Sequence, residues 1–166
     1  MPIVDALLPE YDHELATTRR LLERVPEADF GWKPHEKSMS LGQLAGHVAN
    51  LPFWLIATMT ADFYDLTAGD REATLAPPET RQELLAAFDD RVKKARASLA
   101  AATDAQMLAP WALKNSGQEL FSMPRVAVVR SFVMNHLIHH RGQLSVYLRL
   151  RDVPLPSMYG PTADEQ

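Results

Sequence analysis

Apolar side chains recur along this chain at three- and four-residue intervals in four separate stretches. That spacing is one face of an α-helix, four times over. The first stretch, 2–25, carries Val4, Leu8, Tyr11, Leu15, Thr18, Leu22 and Val25, and Pro26 stops it. The second, 40–59, begins with Ser40 and Gln43 as a capping box and carries Leu41, Leu44, Val48, Leu51 and Leu55. Pro52 removes a backbone donor inside it and crowds Val48, which predicts a kink or a broken turn. The third, 80–102, begins with the pair Thr80 and Glu83 and carries Leu85, Phe88, Val92, Ala95, Leu99 and Ala102. The fourth, 123–150, follows Ser122 as cap with Pro124 in the first turn. Its stripe is Val126, Val129, Val133, His136 with Leu137, His140, Leu144, and Tyr147 with Leu148.

The connections carry their own signals. Residues 26–39 are rich in Pro and polar residues, and Phe30 and Trp32 are expected to pack onto the bundle end. Residues 65–79 read as a loop containing Gly69, Pro77 and Pro78. Residues 103–122 hold the turn signal Asn115-Ser116-Gly117, which fits a small β-hairpin or a plain loop. The Pro-rich tail, 151–166, is expected to lie extended on the bundle. With no strand-rich block, the prediction is an all-α four-helix bundle forming one domain over 1–166.

Composition removes several function classes. Seventeen Lys and Arg against 21 Asp and Glu give a net charge of −4, with no long basic run. A nucleic-acid surface would be strongly basic, so none is expected. The chain has no cysteine, which excludes disulfides, thiolate metal ligands and a cysteine nucleophile of its own. The first residues lack the cationic and apolar regions of a secretory signal, and no apolar run reaches a membrane span. A cytoplasmic protein with no membrane partner is the expectation.

Histidine placement is the sharpest chemical signal. An α-helix turns about 100° per residue, so His140 falls about 20° and His136 about 60° from Val133, on the buried stripe. The i, i+4 spacing stacks the two imidazoles one turn apart, within reach of one ion. Two separate core histidines would each need a hydrogen-bond partner and would repel if charged. His47 lies about 60° from Leu44, at the margin of its stripe. By spacing alone it suits a surface edge as well as a ligand. His13 and His35 read as surface or loop residues. His139 diverges too far from its neighbour His140 to share an ion. Three imidazoles suit Zn²⁺, Ni²⁺, Fe²⁺ or Cu²⁺ and leave a tetrahedral ion one open position. There is no HExxH motif, and the paired Glu-x-x-His motifs of di-iron bundles are missing, so no carboxylate is marked as a general base.

The segments SMSLGQLAGHVANLPFW (38–54), NHLIHHRGQLSVYLRL (135–150) and VPLPSMYGPTADE (153–165) resemble the DinB/YfiT family of bacterial proteins. The family pattern is one His on the second helix plus H-x-x-x-H-R-G-Q on the last, matched by His47 and by His136 to Gln143. Trp32, Pro34 and Tyr159-Gly160-Pro161 extend the match over nearly the whole chain. The resemblance implies an up-down-down-up bundle, often a homodimer. It also implies one divalent metal ion, usually zinc or nickel, on His47, His136 and His140. Some relatives transfer low-molecular-weight thiols such as bacillithiol or mycothiol, and others are metal-dependent isomerases or hydrolases.

Arg141 and Gln143 are candidates to support the ligands or touch substrate. The preferred reading for the motif is packing, with Gly142 allowing close helix contact and Arg141 pairing with a surface carboxylate. Asn50 and Trp54 are candidates to line the pocket, although Trp54 also suits the core. Two function classes follow. One is a metal-dependent transferase that uses a small-molecule thiol on a small electrophile, with metal-dependent hydrolysis as a variant. The other is a non-catalytic metal- or ligand-binding stress-response protein. A solvent-reachable cleft with convergent polar groups distinguishes an enzyme from a sealed site.

Overall fold

The structure, a computed structural model, describes residues 1–67 and 77–165. The first stripe forms α1, Ile3–Leu22. The second forms two helices, α2 (Leu41–Asn50) and α3 (Pro52–Thr60). They break at Leu51, where Pro52 was expected to interrupt the ladder, and the Ser40–Gln43 capping box is complete. The third forms α4, Arg81–Ala100, with the Thr80 hydroxyl accepting from the Glu83 backbone. A further five-residue helix, α5 (Asp104–Leu108), carries its own capping box from Thr103 and Gln106. The last stripe starts as one helical turn, α6 (Arg125–Ala127). It widens into a π-helical segment, Val128–Met134, and continues as α7, Asn135–Leu150.

Cross-helix contacts fix the directions. Arg19 meets Asp89 and Arg96 meets Asp12, so α1 and α4 run antiparallel. Glu10 pairs with Arg130 and Glu14 with Arg141, so α1 and the last helix run parallel. Trp54 meets Phe132 and His47 meets His140, so the second helical stretch opposes the last. The order is up-down-down-up, around a core led by Tyr11, Leu21, Leu44, Phe88, Leu99, Val129 and Leu144.

A purely α fold is corrected by a three-stranded sheet. Strands β1 (Phe63–Asp65), β2 (Pro110–Asn115) and β3 (Gln118–Pro124) lie in that order, with β1 parallel to β2 and β2 antiparallel to β3. Of the two readings of 103–122, the hairpin is the one realised. Its turn residues Ser116 and Gly117 both have positive φ, 52° and 78°, as a tight hairpin turn requires. The Asp65 carboxylate accepts the Ser116 and Gly117 amides at 3.1 and 2.7 Å. Hydrogen bonds from Thr67 and these amides lower its pKa to about 2. β1 had no sequence signal, because three residues are too few to show a period. Ser122 is also corrected: it belongs to β3, and Pro124 precedes the last helix without a side-chain cap. The start is fixed instead by buried Arg125. It donates to the carbonyls of Thr58, Ala61 and Pro110 at 2.9–3.0 Å and pairs with Asp62. These bonds satisfy chain ends that α3 leaves open.

Phe30 and Trp32 pack against the core as expected. Gly42 and Gly46 make room on α2. A Cβ at Gly42 would come 3.0 Å from Phe30, and one at Gly46 would come 2.9 Å from Pro78. Gly69 lies outside the described residues. The tail lies on the bundle through Arg24–Glu165, Arg149–Asp164 and Tyr159–Glu14. Among the described residues no helix is long and apolar enough to cross a membrane.

Candidate metal centre

α2 and α7 cross where each presents histidine. His136 and His140 stand one turn apart on α7, and His47 faces them from α2. Ring centroids are 5.2 Å apart for His47–His136, 4.5 Å for His47–His140 and 4.8 Å for His136–His140. One nitrogen from each lies within 4.8 Å of the other two, and all three rings are half-buried. The Nε2 atoms of His47 and His136 are 3.3 Å apart. Two imidazole nitrogens that share a tetrahedral ion at about 2.0–2.1 Å stand about 3.3 Å apart. That pair therefore has the spacing a shared ion needs.

Electrostatics select the neutral donors. Burial, then His140 and His136, lower the His47 pKa to about 4. Burial and His140 lower His136, and burial lowers His140 against the opposing pull of Gln143. Three neutral imidazoles are the ligand form of the side chain. The sign for stability follows directly. Between about 4 and the ordinary value of 6.5 the unfolded chain binds a proton at position 47 that the folded chain does not. The metal-free chain is therefore expected to gain stability as pH rises through that window and to level off above it. Melting temperatures from pH 4 to 8 measure this, and an equal slope in His47→Asn would count against it.

Hydrogen bonds set the tautomers. His140 Nδ1 lies 2.7 Å from the Gln143 Oε1, so Nδ1–H donates to the amide oxygen and Nε2 is left with its lone pair free for a metal. His136 makes its own bond with the Phe132 backbone. Phe132 sits in the π-helical segment, and such wide turns often occur at functional sites. Gln143 is exposed, so Gln143→Ala is expected to leave the fold intact while weakening metal binding about 10- to 100-fold. Competition with a chromogenic chelator reads the change.

The other candidates divide. Asn50 and Trp54 are buried, and Trp54 stacks edge-on to Phe132, whose ring meets His136. Trp54 thus belongs to the aromatic wall behind the site. His13, His35 and His139 are exposed and outside the cluster. Gly142 is exposed with open space beside it, which corrects the close-contact reading. Arg141 is corrected more sharply. It is 1% exposed and pairs with Glu14, itself 5% exposed, at 2.6 Å. It also donates to the Glu14 carbonyl and the Thr18 hydroxyl. The Tyr159 hydroxyl donates to the same carboxylate at 2.9 Å. The motif's Arg thus ties α7 to α1 and the tail.

A model of the DinB superfamily matches residues 10–144. No curated protein matches the chain. Solved structures share its fold, three of them as follows. A DinB-like protein from Bacillus cereus ATCC 10987 has 18% identity and a TM-score of 0.73, with 95% of this chain and 98% of that one covered. A DinB-like protein from Bacillus subtilis has 18% identity and a TM-score of 0.68, covering 97% and 99%. One described as a DinB family member, from Exiguobacterium sibiricum 255-15, has 22% identity and a TM-score of 0.64, covering 95% and 97%.

Proposed function

The chain belongs to the DinB superfamily, and from that premise we propose that His47, His136 and His140 hold one divalent ion, zinc or nickel, in a transferase for low-molecular-weight thiols. The observation that carries the metal reading is the convergence of three neutral imidazole nitrogens within 4.8 Å. Such an ion, when bound, supplies Lewis acidity that favours a thiolate over its thiol. The residues of the chain do the rest. His47 closes the set from α2, and Gln143 holds His140 in the tautomer that offers Nε2. The rings are half-buried, so an organic molecule can reach them. The chain has no cysteine, so the sulfur comes from a cosubstrate. Its sulfur forms a bond to the electrophilic carbon, the leaving group departs with the bonding pair, and the thiol proton passes to water.

A screen of metal-loaded protein with several small thiols and electrophiles tests the reaction. The expected result is thioether product with at least one pair and none with His47→Ala. No product with any pair, or equal product with His47→Ala, would overturn the transferase reading. A cytoplasmic homodimer is part of the same proposal, and sedimentation of the purified chain tests the dimer.

A further inference from the structure

A cleft of about 510 Å³ opens beside the candidate metal centre, with His140 and Gln143 in its lining. Its volume suits a small organic molecule. The walls come from the 34–39 segment, from α2 and from α7, and they are chiefly apolar: Met39, Leu44, Val146 and Tyr147. Met39 and Val146 remain 40% and 57% exposed, although most large apolar side chains of this chain are buried. Lys37 carries the one formal charge among the described residues that line it.

The wall is built in advance. The Tyr147 hydroxyl donates to the Met39 carbonyl at 3.4 Å, and Tyr147 packs edge-on against Trp32. Arg151 lies over the Trp32 ring and pairs with Asp29 at 2.9 Å. The segment bearing Lys37 is thus fastened to α7 at two points. A preformed, chiefly apolar trough with His140 in its lining and a single ammonium on its wall selects a particular ligand shape.

We infer that this cleft is the substrate-binding site, and that it takes an organic acid whose apolar body lies on Met39, Val146 and Tyr147 while its carboxylate meets Lys37. This rests on the proposed reading of the three histidines as the reactive end. Lys37 is then a specificity-determining residue: attraction for an acid and repulsion of an amine, each several-fold near a surface, multiply to about tenfold.

Matched probes test it. Binding of 4-phenylbutyrate and 4-phenylbutylamine to the zinc-loaded chain is followed by amide chemical shifts. The expected result is that the acid binds about tenfold more tightly, with shifts at Met39, Gln143, Val146 and Tyr147. Lys37→Glu, a change at an exposed side chain, is expected to abolish or reverse that preference. Equal binding of the two probes, binding of neither, or an unchanged preference in Lys37→Glu would overturn the inference. Zinc content is measured on the same samples. One equivalent of zinc with no probe preference defeats the cleft assignment alone, whereas absent zinc defeats the metal reading on which it rests.

Discussion

Glu14→Ala is expected to destabilise the chain by about 3–5 kcal/mol, the largest single-site effect outside the apolar core. The substitution strands the Arg141 guanidinium, which is 1% exposed, without its carboxylate. It also removes the acceptor that the Tyr159 hydroxyl uses to hold the tail. An uncompensated charge at that depth is far costlier than a lost surface pair. Arg24 and Glu165, both about 40% exposed, form such a surface pair, and removing it is expected to cost about 1 kcal/mol or less. Urea unfolding compares the two directly. Removing both charges as Glu14→Leu with Arg141→Met is expected to recover most of the loss, because a well-packed apolar pair avoids desolvation altogether. A loss below about 1 kcal/mol in Glu14→Ala would mean that water reaches the pair and that it does not anchor α7.

The second large effect concerns the metal. Zinc that binds only the folded chain is expected to stabilise it by about 2.7 kcal/mol at a hundredfold excess over Kd. For a chain of this length that is about 5–10 °C in melting temperature. His136→Ala removes one of three donors, and the shift is expected to vanish at the same zinc concentration. The variant itself is expected to fold, since His136 is only half-buried. A full zinc shift in His136→Ala would mean that the stabilising ion sits elsewhere.

Much of this was legible in the sequence, for physical reasons that differ by element. Helical periodicity is redundant over twenty residues, so α1 and α4 stood out with ends close to those observed. Ser40–Gln43 and Thr80–Glu83 marked helix starts because capping chemistry is local. Pro52 marked the break because a missing amide proton acts where it sits. His136 and His140 were paired by spacing alone. His47 was not, because its approach depends on how α2 crosses α7; the family pattern selected it.

What the sequence hid was non-local. β1 is three residues long and exists only through its pairing with β2. The π-helical turn at Val128–Met134 changes the pitch of a stretch whose residue types look α-helical. Arg141 reads as a surface cation beside a metal ligand, and only the fold brings Glu14 to it. A signal for that pair was present. Glu14 lies three residues after Tyr11 and four before Thr18, on the buried face of α1. A carboxylate there demands a cation from another helix. Lys37 had no signal at all, since its place in the cleft follows from how Trp32 and Tyr147 pin the connection.

Elemental analysis of the untagged protein, beside His136→Ala prepared in the same way, tests the metal centre most directly. The expected result is close to one equivalent of a divalent metal, zinc or nickel, in the native chain and far less in the variant. Metal well below one equivalent in the native chain, or the same content in both, would contradict a metal centre at His47, His136 and His140.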